Sequence, residues 1–475
     1  MATVIIGAGI GGLSAAIALA AQGEEVTVLE SQSGSGGKLL PVNVGGQWFD
    51  SGPTVMTMRW VFDELFEQCG GEFSSHVTLN PLGTLARHYW TGSTSLDLFA
   101  DQHQTFDAIG HFAGKAEAEG YRAFAGVSRR IHQSLTKPFL KSQRPTPWGL
   151  AAAMPLGDIL GINPFENYWQ ALGRYFKDAR LRQLFGRYAT YCGTSPFKAP
   201  ATLMLVADVE ASGVWRVQGG MGALARALEQ QARQLGVTFH FNCKADRIET
   251  RRSEVSAVIA RDATRHSCSN VVVNADSAAV ATGLLGTGVV KATSQTANKD
   301  RSFSAIVWCA STQDEGVPLD HHTVFFSDDC EKEFAELALG PAKDPTVYVC
   351  DQGEGRKLLL VNAPANNDVA PDDIDHRMLK RLSKCGLTLT IHDQHILRRS
   401  PQDFAQLYPA THGALYGKAS NGWLATFLRP QARTKIPGLY LAGGSTHPGP
   451  GVPMAALAGM RAAEALLQDR ASTRR

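Results

Sequence analysis

The first thirty residues alternate between apolar runs and glycine-rich turns in an order that predicts strand, helix and strand. Thr3 to Ile6 contain three β-branched apolar residues in succession, which is typical of a short strand buried on both faces. An alanine-rich stretch from Leu13 to Gln22 predicts a helix that ends at Gly23. A second apolar run, Glu25 to Leu29, predicts another strand, and Glu30 follows it directly. This order predicts a βαβ unit.

The apolar pattern returns near the C-terminus. Leu439 to Ala442 predict a buried strand that is interrupted at Gly443 and Gly444. After a loop rich in glycine and proline, an alanine-rich helix is predicted from Ala455 to Leu467. Pro453 suits its first turn, because the N–H that proline lacks would be unpaired there in any case. The positive end of this helix dipole should face whatever the loop binds.

A third buried strand lies far from both ends, at Val271 to Val273. It runs into the polar turn Asn274 to Asp276, in which Asp276 is expected to cap the following helix. Strands and helices in this alternation predict an α/β fold assembled from separated parts of the chain. We expect one domain from residues 1–60, 210–285 and 420–475, and a second, mixed α+β domain from residues 61–209 and 286–419.

The turn after the first strand carries the strongest chemical signal. Gly7, Gly9 and Gly12 have G-x-G-x-x-G spacing, which allows a tight turn, a close backbone approach to a pyrophosphate and close packing of helix on strand. The helix N-terminus then presents free N–H groups to the phosphates. Glu30 would accept hydrogen bonds from a ribose diol and would repel a 2′-phosphate. The unit therefore predicts a dinucleotide site.

Two further loops favour FAD over NAD. One carries Gly34, Gly36, Gly37 and Lys38, whose amides and cation suit a second phosphate contact, and the next carries Asp50, Gly52, Pro53 and Thr54. The N-terminal end of the C-terminal helix would stabilise the negative charge of reduced flavin. Thr446 and His447 are the polar side chains nearest the loop that precedes this helix. We expect the following residues to bind FAD: Gly7, Gly9, Gly12, Glu30, Gly37, Lys38, Asp50, Gly52, Pro53, Gly443, Gly444, Gly451 and Val452.

A second glycine motif has weaker context. Gly220, Gly222 and Ala225 form G-x-G-x-x-A, but the preceding strand alternates polar and apolar residues, and the following strand ends at Asn242 with no acid for a ribose. We therefore expect the helix after Gly222 to pack on the first domain rather than to bind NAD(P)H.

Composition narrows the possible functions. The 475 residues suit two or three domains, and a net charge of +2 gives no field that would favour nucleic acid. The eight cysteines are scattered singly without a C-x-x-C pair, so no metal site is predicted and a reducing cytoplasm is expected. We find no signal-peptide pattern, and no apolar run reaches the length of a membrane span.

The motifs GAGIGGLSAAI, GGKL, FDSGPT and GLYLAGGSTHPGPGVPMAALAGMRAAEAL resemble bacterial carotenoid desaturases of the phytoene desaturase type, within the amine oxidase and protoporphyrinogen oxidase superfamily. The stretch from Tyr191 to Met221 is similar to the hydroxycarotenoid and methoxycarotenoid 3,4-desaturases. The resemblance implies a Rossmann-like FAD domain beside a mixed α+β substrate domain. It also implies a carotenoid substrate, and oxygen or a quinone as the electron acceptor.

The mechanism expected from this resemblance is removal of two hydrogens from adjacent carbons. A hydride from an allylic CH₂ would pass to flavin N5, and the neighbouring carbon would lose a proton, for which His447 is the candidate acceptor by its proximity to the flavin loop. Phytoene desaturation is the first alternative. A flavin amine oxidase and a non-catalytic prenyl-lipid carrier stay open as well, although the intact phosphate loops argue against the carrier.

A basic stretch bears on localisation. Residues 120–157 contain no acid and interleave aromatic residues with six cations: Arg122, Arg129, Arg130, Lys137, Lys141 and Arg144. The stretch is either a solvated basic face or a headgroup interface, and a lipid-dissolved substrate favours the interface. We therefore expect a cytoplasmic enzyme that is peripherally associated with the inner membrane.

Overall fold

The computed structural model describes residues 2–149, 166–366 and 371–473. At its centre is a five-stranded parallel sheet in the order Leu439–Leu441, Asn270–Val273, Thr3–Ile6, Val26–Leu29 and Thr238–His240. Three of these strands are buried along their whole length, as expected for apolar runs covered on both faces. The sheet therefore joins the two chain ends to the middle of the sequence.

The first helix, Ile10–Ala20, is buried at every residue because two other helices pack against it. It begins three residues earlier than predicted, since Gly9 is its N-cap and Gly12 lies inside its first turn. The C-terminal helix, Val452–Thr473, crosses it so closely that a Cβ at Gly459 would stand 2.0 Å from the Gly11 carbonyl oxygen. This crossing fixes both glycine loops relative to each other.

The second glycine motif lies at the start of helix Met221–Gln234, which packs on the first helix as expected. The Asp50 carboxylate accepts hydrogen bonds from the backbone N–H groups of Met221 (2.8 Å) and Gly222 (3.3 Å). A protein carboxylate thus holds the position at which a phosphate would sit in a nucleotide site.

A second large sheet has seven strands and is antiparallel except for one parallel pair, His322–Phe325 with Thr84–Trp90. The strand order across it is Leu387–Arg399, Ser304–Gly316, Arg356–Ala363, Val347–Gly353, His322–Phe325, Thr84–Trp90 and Thr94–Phe99. A three-stranded sheet is formed by Ala245–Arg251, Glu254–Ala260 and Arg265–Ser267, and two ribbons pair Val42–Val44 with Gln47–Phe49 and Leu79–Pro81 with Trp215–Val217.

Helices cover these sheets and close the space between them. Besides the three named above, they are Trp60–Glu67, Gln102–Ala113, Lys115–Leu135, Tyr168–Tyr175, Ala179–Gly186, Leu205–Ala211, Ser277–Ala281, Cys330–Glu336, Pro371–Lys384 and Pro401–Leu407, with a π-helical turn at Thr136–Leu140. In the described part of the chain, no helix is both long enough and apolar enough to span a bilayer.

Candidate cofactor and substrate site

A cavity of about 1220 Å³ connects the parallel sheet with the seven-stranded sheet. At one end its wall is formed by the glycine loops and the start of the C-terminal helix. At the other end it is lined mainly by apolar side chains: Leu135, Phe139, Leu203, Val206, Val209, Val307, Val324, Leu358, Leu360 and Phe427. The cavity therefore offers a polar, backbone-rich half and an apolar half.

Asn274 holds the loops of the polar half together. It follows the buried strand Asn270–Val273, and its Nδ2 donates to the Gly7 carbonyl at 3.2 Å. A Cβ at Gly9 would stand 2.9 Å from Asn274 Nδ2, and one at Gly443 would stand 2.8 Å from its Oδ1. Sequence reasoning missed this role, although a polar residue just after a parallel strand lies where such sheets bind ligands.

Glu30 lines the cavity and also supports the first glycine loop. One carboxylate oxygen accepts from the Ala8 N–H at 2.7 Å, and the other accepts from the Gln32 N–H at 2.8 Å and the Ser31 hydroxyl at 3.1 Å. The side chain is only 5% exposed. A carboxylate has about four acceptor positions, so these three bonds leave room for a ribose hydroxyl.

The second glycine loop lies directly on the first. The Gly36 N–H donates to the Ala8 carbonyl at 2.8 Å, and a Cβ at Gly37 would stand 3.3 Å from the Gly9 Cα. Lys38 projects into the cavity, where its ammonium donates to the Leu415 carbonyl at 2.5 Å. Enclosure by protein lowers the pKa of Lys38, and the Asp276 carboxylate opposes that effect. The structure therefore places this cation beside Leu415.

The residues of the third loop, which contains Asp50, Gly52 and Pro53, have two different roles. Gly52 and Pro53 line the cavity, and Gly52 passes so close to the Lys38 carbonyl oxygen that a Cβ would stand 1.9 Å from it. Asp50 does not line the cavity, because its carboxylate caps the helix Met221–Gln234. Burial raises the pKa of Asp50 against the lowering effect of the hydrogen bonds from that helix. Its position is therefore structural.

The C-terminal loop presents Gly443, Gly444, Gly451 and Val452 to the cavity, and the helix begins at Val452. Its free N–H groups and positive dipole end consequently face the space between the two sheets. The Thr446 hydroxyl donates to the Gly443 carbonyl at 2.6 Å and stabilises the turn. Asp276 caps the helix Ser277–Ala281 through a 2.9 Å bond from the Ala278 N–H, which confirms its predicted role.

His447 is not placed as a proton acceptor for a substrate. It is 3% exposed and does not line the cavity, and its Nε2 lies 3.0 Å from the Phe139 carbonyl oxygen. A carbonyl only accepts, so Nε2 carries the proton and donates it. Burial lowers the pKa of His447 to about 4. The side chain therefore links the C-terminal loop to the π-helical turn Thr136–Leu140.

A polar cluster interrupts the apolar half of the cavity. The Tyr191 hydroxyl donates to one Glu210 oxygen at 2.7 Å, the Tyr188 hydroxyl donates to the other at 2.7 Å, and the Arg187 guanidinium donates to the Tyr191 oxygen at 2.9 Å. Arg187, Tyr191 and Glu210 line the cavity. Nearby, the Tyr348 and Thr54 hydroxyls share a 2.7 Å bond. The sequence did not predict this cluster.

His321, His322 and Cys350 bring potential metal ligands within 4.8 Å of one another. However, each histidine already uses Nδ1, His321 with the Asp351 carbonyl oxygen and His322 with the Tyr348 hydroxyl, both at 2.7 Å. Burial also raises the pKa of Cys350 to about 12, which keeps the thiol protonated. In this structure the Nδ1 atoms of both histidines are therefore engaged in hydrogen bonds.

The polar half of the cavity fits FAD. Three glycine loops meet where an added Cβ would clash with backbone or with Asn274, so the backbone itself is exposed to a ligand. Glu30, the glycine loops and the start of the C-terminal helix all line this region. These positions suit the ribose, the pyrophosphate and the flavin ring in turn.

Comparison with known proteins agrees with this geometry. The model of the flavin containing amine oxidoreductases matches residues 10–467. The hydroxyneurosporene desaturase of Rubrivivax gelatinosus is 44% identical over 99% of this chain and 94% of its own length. The 1-hydroxycarotenoid 3,4-desaturase of a Flavobacterium species is 29% identical over 96% of both chains. A solved oxidoreductase from Methanosarcina mazei shares the fold, with a TM-score of 0.62 and 17% identity over 98% of this chain and all of its own.

Proposed function

The chain belongs to the flavin-containing amine oxidoreductase family, as a bacterial carotenoid desaturase that uses FAD, and from this premise we propose that it introduces the 3,4 double bond into a 1-hydroxy acyclic carotenoid. One observation carries the proposal. A single cavity passes from exposed glycine backbone to an apolar wall, which suits a dinucleotide at one end and a hydrocarbon chain at the other.

When bound, FAD supplies the two-electron oxidant. The glycine loops with Asn274 would hold its pyrophosphate, and Glu30 its adenosine ribose. The free N–H groups at Val452 would stabilise negative charge on the reduced ring. Apolar side chains such as Val307, Leu358 and Phe139 orient the polyene and exclude water from the reacting carbons. Because His447 lies outside this space, we assign it no part in proton removal.

The test of this function uses the purified protein in liposomes. We expect a bound-flavin spectrum and a product with one more conjugated double bond when a 1-hydroxy acyclic carotenoid is supplied. Phytoene, which lacks the 1-hydroxyl group, serves as the comparison substrate. A product from phytoene alone would reassign the protein as a phytoene desaturase, and turnover of an amine would favour the oxidase alternative. We propose that the electron acceptor is either oxygen or a quinone. The rate at which the reduced flavin is reoxidised by a quinone without oxygen, compared with the rate in oxygen alone, identifies which of the two it is.

We also propose that the enzyme docks on the inner membrane around the cavity opening. Trp148 lines the cavity and is 85% exposed, and Leu428, beside the cavity-lining Phe427, is 61% exposed. The rings of Phe139 and Phe427 are 5.8 Å apart, so the two segments meet. Residues 120–157 offer fewer free cations to lipid headgroups than their composition indicates, because three of the cations form ion pairs within the protein. The paired cations are Arg122 with Glu119, Arg129 with Asp208 and Lys141 with Glu64. The apolar run at 150–156 lies outside the described residues.

Lys137 and Arg144 are exposed cations in the same region and suit anionic headgroups. Replacing both with Gln, together with Trp148→Ser, should reduce co-sedimentation with anionic liposomes while flavin content stays constant. The matched control replaces with Gln the exposed Arg251 and Arg252, which lie where the first strand of the three-stranded sheet turns into the second. Equal loss in both variants would indicate unspecific charge attraction, and no loss in either would contradict docking at this opening.

A further inference from the structure

The polar cluster of Arg187, Tyr191 and Glu210 is not needed to hold a hydrocarbon. It lies in the apolar half of the cavity, close to Val206 and Val209, where an unpaired polar group is costly. Glu210 is 5% exposed and accepts one bond at each oxygen. Arg187 donates from one terminal nitrogen, and its buried Nε has no acceptor among the described residues. The cluster therefore retains hydrogen-bonding capacity beside the substrate space.

The charges of the cluster select the kind of group that it can bind. An ammonium would be repelled by the Arg187 guanidinium, and a carboxylate by Glu210. A neutral alcohol suits both, because its O–H donates and its oxygen accepts. Burial raises the pKa of Tyr191, so its hydroxyl stays a neutral donor that orients the carboxylate. The cluster thus has the properties of a site for an alcohol.

The position of the cluster also fits the reaction. Arg187 and Tyr191 line the same cavity as Tyr348, whose hydroxyl shares a hydrogen bond with Thr54, the residue after Pro53. The cluster is therefore adjacent to the cofactor half of the cavity. In a 1-hydroxy acyclic carotenoid, carbon 1 is two bonds from carbon 3, so the hydroxyl must be bound beside the carbons that lose hydrogen.

We propose that Arg187 and Glu210, oriented by Tyr191, bind the carbon-1 hydroxyl of the substrate and thereby select hydroxylated carotenoids. This inference rests on the proposed function. Glu210 accepts from the hydroxyl and Arg187 donates to its oxygen, and the bound hydroxyl sets which carbons face the flavin. A substrate without the hydroxyl leaves both groups enclosed against hydrocarbon, which opposes its binding.

The test compares Tyr191→Phe and Glu210→Gln with the parent enzyme. Each variant is supplied in liposomes with a 1-hydroxy acyclic carotenoid and with the same carotenoid lacking the hydroxyl. We expect kcat/KM for the hydroxylated compound to fall roughly 10- to 100-fold in the variants, with little change in affinity for the other compound. Flavin content and Tm are measured for each protein. If Glu210→Gln loses FAD, Tyr191→Phe decides alone, since it keeps the ring.

Tyr168→Phe is the matched control, because the Tyr168 hydroxyl is fully buried on the Phe185 carbonyl and does not line the cavity. It should keep the parent's preference for the hydroxylated compound. If the parent shows that preference and both cluster variants retain it, the assignment is wrong while the proposed function stands. If the parent converts no hydroxylated carotenoid, the proposed function fails, and the assignment fails with it.

Discussion

Replacing Glu30 with Ala should destabilise the protein even before FAD binds. The change removes the acceptor of the Ala8 N–H, which is fully buried, and of the Gln32 N–H, which is partly exposed. A buried donor left without a partner costs about 1–3 kcal/mol, and the partly hydrated donor costs less. We therefore expect the free energy of unfolding of the FAD-free protein to fall by about 2–4 kcal/mol.

The assay is urea unfolding of the FAD-free protein, followed by titration with FAD and with FMN, which lacks the adenosine ribose. Glu30→Gln keeps one carbonyl acceptor and should lose about half as much stability. If Glu30 also binds the ribose, its replacement should weaken FAD by about 1–3 kcal/mol more than FMN. Glu25→Ala is the control, because Glu25 is exposed and precedes the strand Val26–Leu29, whose other end leads to Glu30. An unchanged urea midpoint in Glu30→Ala would refute the supporting role of the carboxylate.

Three further predictions concern single positions. Gly12→Ala should abolish FAD retention, because its Cβ would stand 2.0 Å from the Gly7 carbonyl oxygen. Gly126→Ala, on an open helix face, should instead stabilise the folded protein by about 0.5–1 kcal/mol. Flavin absorbance and Tm check both variants, and a yellow Gly12→Ala protein would contradict the packing. The pKa of His447 is lowered to about 4, so the unfolded chain binds more protons than the folded protein between pH 6.5 and 4. His447→Gln should therefore remove up to about 3 kcal/mol of acid destabilisation, measured by urea titration, while activity persists. Loss of activity at normal stability would restore a catalytic role. Asp50→Ala should lower stability by about 1–2 kcal/mol through its lost helix cap, and a larger effect on FAD affinity than on the urea midpoint would contradict this role.

The sequence predicted the parallel sheet and its glycine loops well, because those features depend on local patterns. Buried strands, a glycine at a close approach and an acid at a strand end all occur within a few neighbouring residues. The same reasoning assigned Asp50 to FAD, because the helix that its carboxylate caps starts 171 positions later in the chain and gives no local signal. His447 was judged by its nearness in sequence to a loop, whereas its ring turns away to Phe139.

Side-chain clusters that assemble from segments far apart in the sequence could not be predicted. Asn274 contacts Gly7 across 267 positions, and Glu210 meets Tyr188 only because a turn and a helix pack together. Such contacts are set by tertiary packing, which leaves no periodic signal in the chain. A polar residue inside an apolar segment, such as Glu210 beside Val209, is the one local sign that was available.

The close crossing of Gly11 and Gly459 has a consequence for biosynthesis. The first helix is apolar on every face and is covered only when the last helix, which ends at Thr473, has left the ribosome. During translation the first helix lacks this cover until Val452–Thr473 has been synthesised, so the nascent chain must be shielded from aggregation up to that point. We therefore expect FAD to be retained only once Val452–Thr473 has been synthesised, and loss of this helix should produce an insoluble, colourless protein.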